Sequence, residues 1–289
     1  MRRRPKSRAP APVVSPIAAR NKHVFGRYNA IVDRLASPAE VRSLLCTDRS
    51  WSVYALGDLV PQRFDLCRCY GVFAPSPAAV VLYRGFSPPV LFAFGDPGAI
   101  AELPAAVTGE PELYLHVRPQ ILPVVAAHYR IVSVRRMWRM ILDAESLPAL
   151  SAGGLEPLGP EHAGELEQLY GEARTAGEAP GFFLPSMLEE GVFFGARQDS
   201  ELVAVAGTHL VAPEEGVAAI GNVYTRPECR GRGLATRLTG AVAAELVRRG
   251  IPLVALNVCP ENLPAMRAYR RLGFFKYCEF VEGLAVRRP

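Results

Sequence analysis

The stretch Asn222-Val-Tyr-Thr-Arg-Pro-Glu-Cys-Arg-Gly-Arg-Gly-Leu-Ala235 decides how this chain is read, because it carries a strand through a glycine-rich turn into a helix. Residues 220–225 are extended in character, and Pro227 stops the ladder. Gly231 and Gly233 let the turn tighten so that backbone N–H groups point at one spot. From Leu234 the pattern becomes helical. Leu234, Leu238, Val242 and Leu246 share one face, and Arg248, Arg249 and Gly250 supply the cations and glycine that favour a helix end. The uncapped N–H groups of such a helix start, its dipole, and the nearby Arg230 and Arg232 make a site for a pair of phosphates. A glycine-rich turn alone also serves as a plain loop-to-helix connection, so its meaning depends on the segment C-terminal to it.

That segment is a short apolar strand, 252–258, then Asn262 and a helix through Ala265, Tyr269 and Leu272 to Gly273-Phe274. Turn, strand and helix together resemble the GNAT superfamily of acyl-CoA-dependent N-acyltransferases. The family's Arg/Gln-x-x-Gly-x-Gly/Ala loop matches residues 230–235, and its Asn-x-x-Ala-x-x-x-Tyr-x-x-x-Gly-Phe segment matches 262–274, in order and in spacing. The resemblance covers roughly the last half of the chain. It implies acetyl-CoA, or a related acyl-CoA, as the bound donor. The pyrophosphate is expected on Arg230, Gly231, Arg232, Gly233, Leu234 and Ala235, with Asn262 completing the cofactor site. The pantetheine arm is expected along Val223, Tyr224 and Thr225, in a splay between that strand and 252–258. By the same resemblance an N–H near Val223 polarises the thioester oxygen, and Tyr269 protonates the departing thiolate.

The general base stays open. Histone-acetylating relatives carry a glutamate where this chain has Ala219. His209, on the neighbouring expected strand, is the candidate named here, since an ordinary imidazole accepts a proton near neutrality. Glu189, Glu190, Tyr224 and a bound water are the alternatives, and the Asn222 amide could orient a carbonyl or that water but not act as a base. Phe182, Phe183 and Met187 could line an acceptor pocket or simply build core.

A chain of 289 residues with 49% hydrophobic content suits about two globular domains. No apolar run approaches the ~20 residues of a membrane span, so no membrane association is expected. The six cysteines show neither a zinc spacing nor a compact disulfide framework, and without a secretory h-region a cytoplasmic, reduced protein is expected. The net charge of +5 comes from the start of the chain, where residues 1–28 hold eight basic residues and no acid, leaving −3 for the remainder. A nucleic-acid partner is therefore not expected.

The expected organisation is a disordered basic tail at 1–27, a degenerate GNAT-like domain at 28–145, a linker at 146–154 and a catalytic GNAT N-acetyltransferase domain at 155–289. The fold class is α/β (α+β), two lobes that each hold a mixed, mainly antiparallel twisted sheet flanked by helices. Leu115-His-Val-Arg-Pro-Gln-Ile-Leu-Pro123 echoes Leu256-Asn-Val-Cys-Pro-Glu-Asn-Leu-Pro264, and in that register His128 stands where Tyr269 stands. The turn of the first lobe, Gly95-Asp-Pro-Gly98, lacks arginine, and Asp96 would repel a phosphate. The first lobe is thus expected to pack on the second and to shape its cleft. The function expected is transfer of an acetyl group from acetyl-CoA to a primary amine, a small molecule or amino acid. The alternatives are a non-catalytic acyl-CoA sensor or interaction protein, and a protein N-terminal acetyltransferase.

Overall fold

The strands β1 (Asp33–Leu35) to β12 (Phe274–Arg287) join into one sheet, with order β1-β2-β3-β4-β5-β12-β6-β11-β10-β9-β8-β7. The structure is a computed structural model that describes residues 33–35, 37–103, 109–149, 153–175 and 182–289. The tail expected at 1–27 lies outside these residues. The sheet order reads the same in reverse once each strand of the first half is exchanged for the strand six places later, so the halves are related by an approximate two-fold between β6 and β12. The first half holds β2 (Cys67–Val72), β3 (Ala78–Tyr83), β4 (Val90–Gly95), β5 (Glu112–Val117) and β6 (Tyr129–Leu142). The second holds β7 (Glu156–Pro157), β8 (Phe194–Gln198), β9 (Glu201–Ala212), β10 (Val217–Thr225) and β11 (Leu253–Val258) before β12. Pairing is antiparallel except for β4 with β5 and β10 with β11.

Each half holds the mixed, mainly antiparallel sheet flanked by helices that was expected, and the two sheets join edge to edge into one. The long strands β6 and β12 pair with each other and exchange partners, so that β6 of the first half bonds β11 of the second and β12 bonds β5. The physical cause is length: each strand spans 14 residues, enough to line its neighbour in both halves.

Side-chain alternation sorts the helices onto two faces. Helices α4 (Pro97–Ala101) and α5 (Leu122–Ala126) cover one face of the first half, and α8 (Leu234–Arg248) and α9 (Leu263–Arg271) cover the same face of the second. On the other face lie α1 (Pro38–Leu45), α2 (Arg49–Gly57), α6 (Ala163–Thr175) and α7 (Ser186–Glu190), with α3 (Pro61–Phe64) after α2. Helix α1 begins on a Ser37–Glu40 capping box with Pro38 behind it. Arg42 of α1 binds Glu215, and α2 lies across the middle of the sheet against β9, β10 and β11.

The centre is held by Arg139, which is fully buried on β6. Its Nε donates to Asn257 Oδ1 at 2.7 Å, one terminal nitrogen donates to the Trp51 carbonyl at 2.9 Å, and the other donates to His116 Nε2 at 2.8 Å. The guanidinium also lies over the rings of Tyr54, Trp51 and Phe280 at 4.8, 5.3 and 5.5 Å. Burial and Arg139 hold the His116 pKa well below the usual imidazole range, so it stays neutral and can accept that bond. Removing the guanidinium would leave buried acceptors from α2, β5 and β11 without donors. Arg139→Ala should therefore lower stability by about 3 kcal/mol, read as a reduced urea midpoint, against a change near zero for the exposed Arg130→Ala.

Candidate active site

The β10–β11 ladder runs from Val217–Leu253 to Ile220–Leu256 and ends there, although β10 continues to Thr225 and β11 to Val258. On its other edge β10 shifts register between Gly221 and Tyr224, so Asn222 and Val223 have no register partner on β9. Asn222 is in the left-handed region at φ 54°, a conformation that asparagine tolerates better than branched residues. Its amide donates to the Thr208 carbonyl at 3.3 Å, its backbone carbonyl accepts from the Tyr170 hydroxyl at 2.8 Å, and its buried Oδ1 has no partner among the described residues. The splay expected between these strands is thus present, with a bulge at its mouth.

Beyond the splay, Gly231 and Gly233 adopt φ 76° and 77°, and α8 starts at Leu234 with no side chain capping it. An added Cβ on either glycine would meet nothing within 4 Å, so the turn opens onto free space on the side where the helix N–H groups begin. Arg230 donates to the Thr225 carbonyl at 3.0 Å, and Arg232 donates to Gln198 Oε1 at 3.0 Å and the Glu228 carbonyl at 3.2 Å. Both guanidinium groups are exposed and tethered to neutral oxygens by these bonds. Donor set and charge fit a pyrophosphate.

Tyr269 lies in α9 within the cluster that also holds Val223, Leu234 and Val258. Burial raises its phenol pKa to about 12, so it is protonated at neutral pH and has a proton to give. Asn262 uses its side chain locally, accepting from the Ala265 N–H at 3.2 Å as the cap of α9. Val223, Tyr224, Thr225, the turn at 230–235 and Tyr269 thus gather around one splay, while the Asn262 carboxamide is spent on the helix that carries Tyr269.

His209 departs from expectation. It faces α2, where Tyr54 Oη and His209 Nδ1 lie 3.0 Å apart. Burial holds the Tyr54 phenol protonated, so it donates to Nδ1 and the neutral ring carries its proton on Nε2. That nitrogen is buried against Gly221, where an added Cβ would lie 2.2 Å away. Desolvation lowers the ring pKa to about 4. An imidazole with one nitrogen engaged, the other protonated and its basicity suppressed does not suit the role of general base. Glu190 is paired with Arg63, and Tyr224 is buried beneath Arg230. Phe183 packs on Tyr170, whereas Phe182 stacks on His209 with 4.8 Å between centroids. Tyr54, Tyr170 and Arg139 were not expected at the site. Each acts across at least 52 residues of sequence, a separation at which no local pattern marks it.

The first half holds the equivalent positions without the opening. The β4–β5 ladder also ends early, at Phe92–His116, but the Trp51 indole donates to the Ala93 carbonyl at 3.0 Å just beyond it. Asp96 accepts from the Gly98 and Ala99 N–H groups at 2.8 and 3.1 Å, so its own carboxylate takes the donors that a phosphate would need. No cluster of metal-ligating side chains occurs among the described residues, and none of their helices is long and apolar enough to cross a membrane.

Residues 163–274 match the model of the Acetyltransferase (GNAT) family. A mycothiol acetyltransferase of Thermobispora bispora is 32% identical over 205 residues, covering 69% of this chain and 66% of that one. The chain spans between 26% and 66% of the length of this and another mycothiol acetyltransferase that it matches. Among solved structures, a GNAT-family protein from Novosphingobium aromaticivorans aligns with TM-score 0.52 and 28% identity over 68% of this chain and 84% of that one. A tandem GNAT protein from the clavulanic acid biosynthesis pathway shares the fold over 90% of this chain and 99% of its own, with TM-score 0.54 and 17% identity.

The His209 environment has a consequence for acid stability. Its folded pKa, about 4, lies below the ordinary 6.5, so between those values the unfolded chain binds a proton that the native state refuses, and stability falls as pH drops through this window. The ring proton of His209 should titrate near pH 4 by NMR, and His209→Gln should flatten this part of the urea-midpoint profile. A midpoint near 6.5 would place the ring in water.

Proposed function

We propose that this chain, which belongs to the GNAT acetyltransferase family, transfers an acetyl group from acetyl-CoA to a primary amine by direct attack. The observation that carries the reading is the splay itself: β10 and β11 part after Ile220–Leu256 with the bulge at Asn222–Val223, the uncapped start of α8 and the protonated Tyr269 around the gap. A strand edge whose ladder has ended offers backbone donors and acceptors to an amide-bearing chain such as pantetheine, and no other β10 edge is available to it.

In this reading the pyrophosphate rests on the N–H groups from Gly231 to Ala235, with Arg230 and Arg232 above it. The arm follows Val223 to Thr225 into the splay. The amine nitrogen attacks the thioester carbon while an N–H of the bulge near Val223 takes the charge that grows on the oxygen. The C–S bond breaks, and Tyr269 gives its proton to the leaving sulfur, a role typically worth ~10²–10⁴-fold in rate. Relatives named mycothiol acetyltransferases support a small-molecule acceptor, and a protein N-terminus is the second acceptor class.

Two substitutions separate binding from chemistry. Arg232→Glu reverses charge at the start of α8 and should weaken acetyl-CoA at least about tenfold by calorimetric titration while leaving the thermal midpoint unchanged. Tyr269→Phe should leave acetyl-CoA affinity within about twofold and reduce CoA-thiol release by about 100-fold or more with an amine found by screening. Undiminished acetyl-CoA binding to the Arg232→Glu protein would remove the turn from the site.

A further inference from the structure

The bulge on β10 sets Asn222 and Val223 against the single residue Ala206 on β9. Asn222, at φ 54°, is its left-handed residue, a position usually given to glycine. A left-handed residue turns the peptide unit that follows it out of the plane of the ladder. The carbonyl of that unit, on Asn222, accepts from the Tyr170 hydroxyl at 2.8 Å. Tyr170 belongs to the cluster with Val205, Tyr224 and Met187 under α6 and α7, whereas Val223 packs against the cluster of α8 and α9 that holds Tyr269. A trans peptide unit is planar, with its carbonyl and N–H opposed. A carbonyl drawn to Tyr170 therefore sends the Val223 N–H towards the face of the splay on which Tyr269 lies.

The phenol is the firm hold on this unit. The Asn222 amide nitrogen reaches the Thr208 carbonyl only at 3.3 Å and the Met187 sulfur at 3.5 Å, and its buried Oδ1 has no partner among the described residues. Tyr170 itself is fixed. Leu166, Leu169, Tyr170 and Ala173 form the buried stripe of α6 at the spacing of one helix face, and the Phe183 ring packs on the phenol with 5.2 Å between centroids. Glu172 of α6 pairs at 3.1 Å with Arg226, just after β10, so the helix is tied to the strand that it braces. Burial raises the phenol pKa above its ordinary value, and the hydroxyl keeps its proton to donate. The first half shows a brace without a bulge. Trp51 donates to the Ala93 carbonyl there, but β4 keeps register with β3 from Ala78–Gly95 to Tyr83–Val90, so no peptide unit is turned out.

This inference rests on the acetyl-transfer reading above and adds a residue to it. We propose that Tyr170 is a positioning residue for acetyl transfer, whose hydroxyl holds the Asn222–Val223 peptide unit so that the Val223 N–H is aimed at the place of the thioester oxygen before acetyl-CoA arrives. Tyr170 acts through the peptide unit and exchanges no proton. An N–H already aimed where charge will grow needs no reorganisation when the amine attacks, and that is the source of its advantage. Without the hydroxyl the buried Asn222 carbonyl loses its donor. Rotation of the planar unit towards any other donor then carries the Val223 N–H away from the thioester.

The test uses the full chain and acetyl-CoA isotopically labelled at the thioester carbonyl carbon. Infrared difference spectra of the bound donor read how strongly that carbonyl is polarised, with no acceptor needed. In Tyr170→Phe the thioester band should move to higher frequency than in the parent protein. Tyr170→4-aminophenylalanine returns an N–H donor to the same point and should bring the band back towards the parent position. Acetyl-CoA affinity should agree within about twofold among the three proteins, since the turn and the strand edge are untouched. With an amine found by screening, kcat for CoA-thiol release should fall about tenfold or more in Tyr170→Phe while KM for acetyl-CoA stays within about twofold. A merely structural role for Tyr170 would lower the urea midpoint and leave the band in place. A band unmoved by Tyr170→Phe, or moved as far by the variant that restores the donor, would overturn the assignment and leave the acetyl-transfer reading standing. Failure of the parent protein to bind acetyl-CoA would strike that reading and the assignment together.

Discussion

The guanidinium of Arg139 joins positions that the internal two-fold makes equivalent. In the register that sets Leu115 against Leu256, His116 falls on Asn257, and Arg139 donates to both. In the sheet Arg139 lies opposite Asn257 and Glu282 lies opposite His116, so Arg139 and Glu282 are the equivalent positions. One side of the pseudo-symmetric pair is thus a cation and the other an acid, while the Phe280 ring lies against the guanidinium at 5.5 Å. The same guanidinium bonds the backbone of α2, which fixes that helix over β10 and β11 and brings Tyr54 to His209. Strand exchange has the same effect on a larger scale. Because β6 completes the sheet beside β11, the half that carries the Gly231–Gly233 turn has no finished edge without the half that precedes it.

The two equivalent ends of the shortened parallel ladders differ by a few side chains. At the start of α4, Asp96 takes up two N–H groups, whereas α8 begins on Gly233 with its donors uncommitted. Beyond the shortened ladder the Ala93 carbonyl is capped by the Trp51 indole, and the Asn222 carbonyl is held by Tyr170. The first arrangement fills the gap with a large ring and the second leaves it open beside Val223. The closed half then contributes something else, since α2 and the loop bearing Phe86 wall the α2-facing side of the open one.

Much of the second half was legible from the sequence because its features are local. The strand leading into the turn, the turn at Gly231 and Gly233 and the α8 stripe each follow from periodicity and backbone chemistry within a dozen residues, whereas Asn262, expected at the cofactor site, caps α9. The strand exchange was not legible, since it depends on which of two long strands lies beside β11, a choice made by register over 14 residues and not by composition. Tyr54 belongs to α2, and nothing in the sequence of α2 says that it will cross to β9, β10 and β11 of the other half. His209 was misjudged for a related reason. Its type suggested a pKa near neutrality, and only the neighbours Tyr54, Phe182 and Gly221, each brought by a different element, reveal that the ring is desolvated.

Hydrogen–deuterium exchange with and without acetyl-CoA tests most directly the claim that one of the two equivalent sites is open and the other closed. Protection of backbone amides at 223–225 and 231–236, with none at 93–99, is the expected result. Protection at 93–99, or no protection at either place, would contradict it.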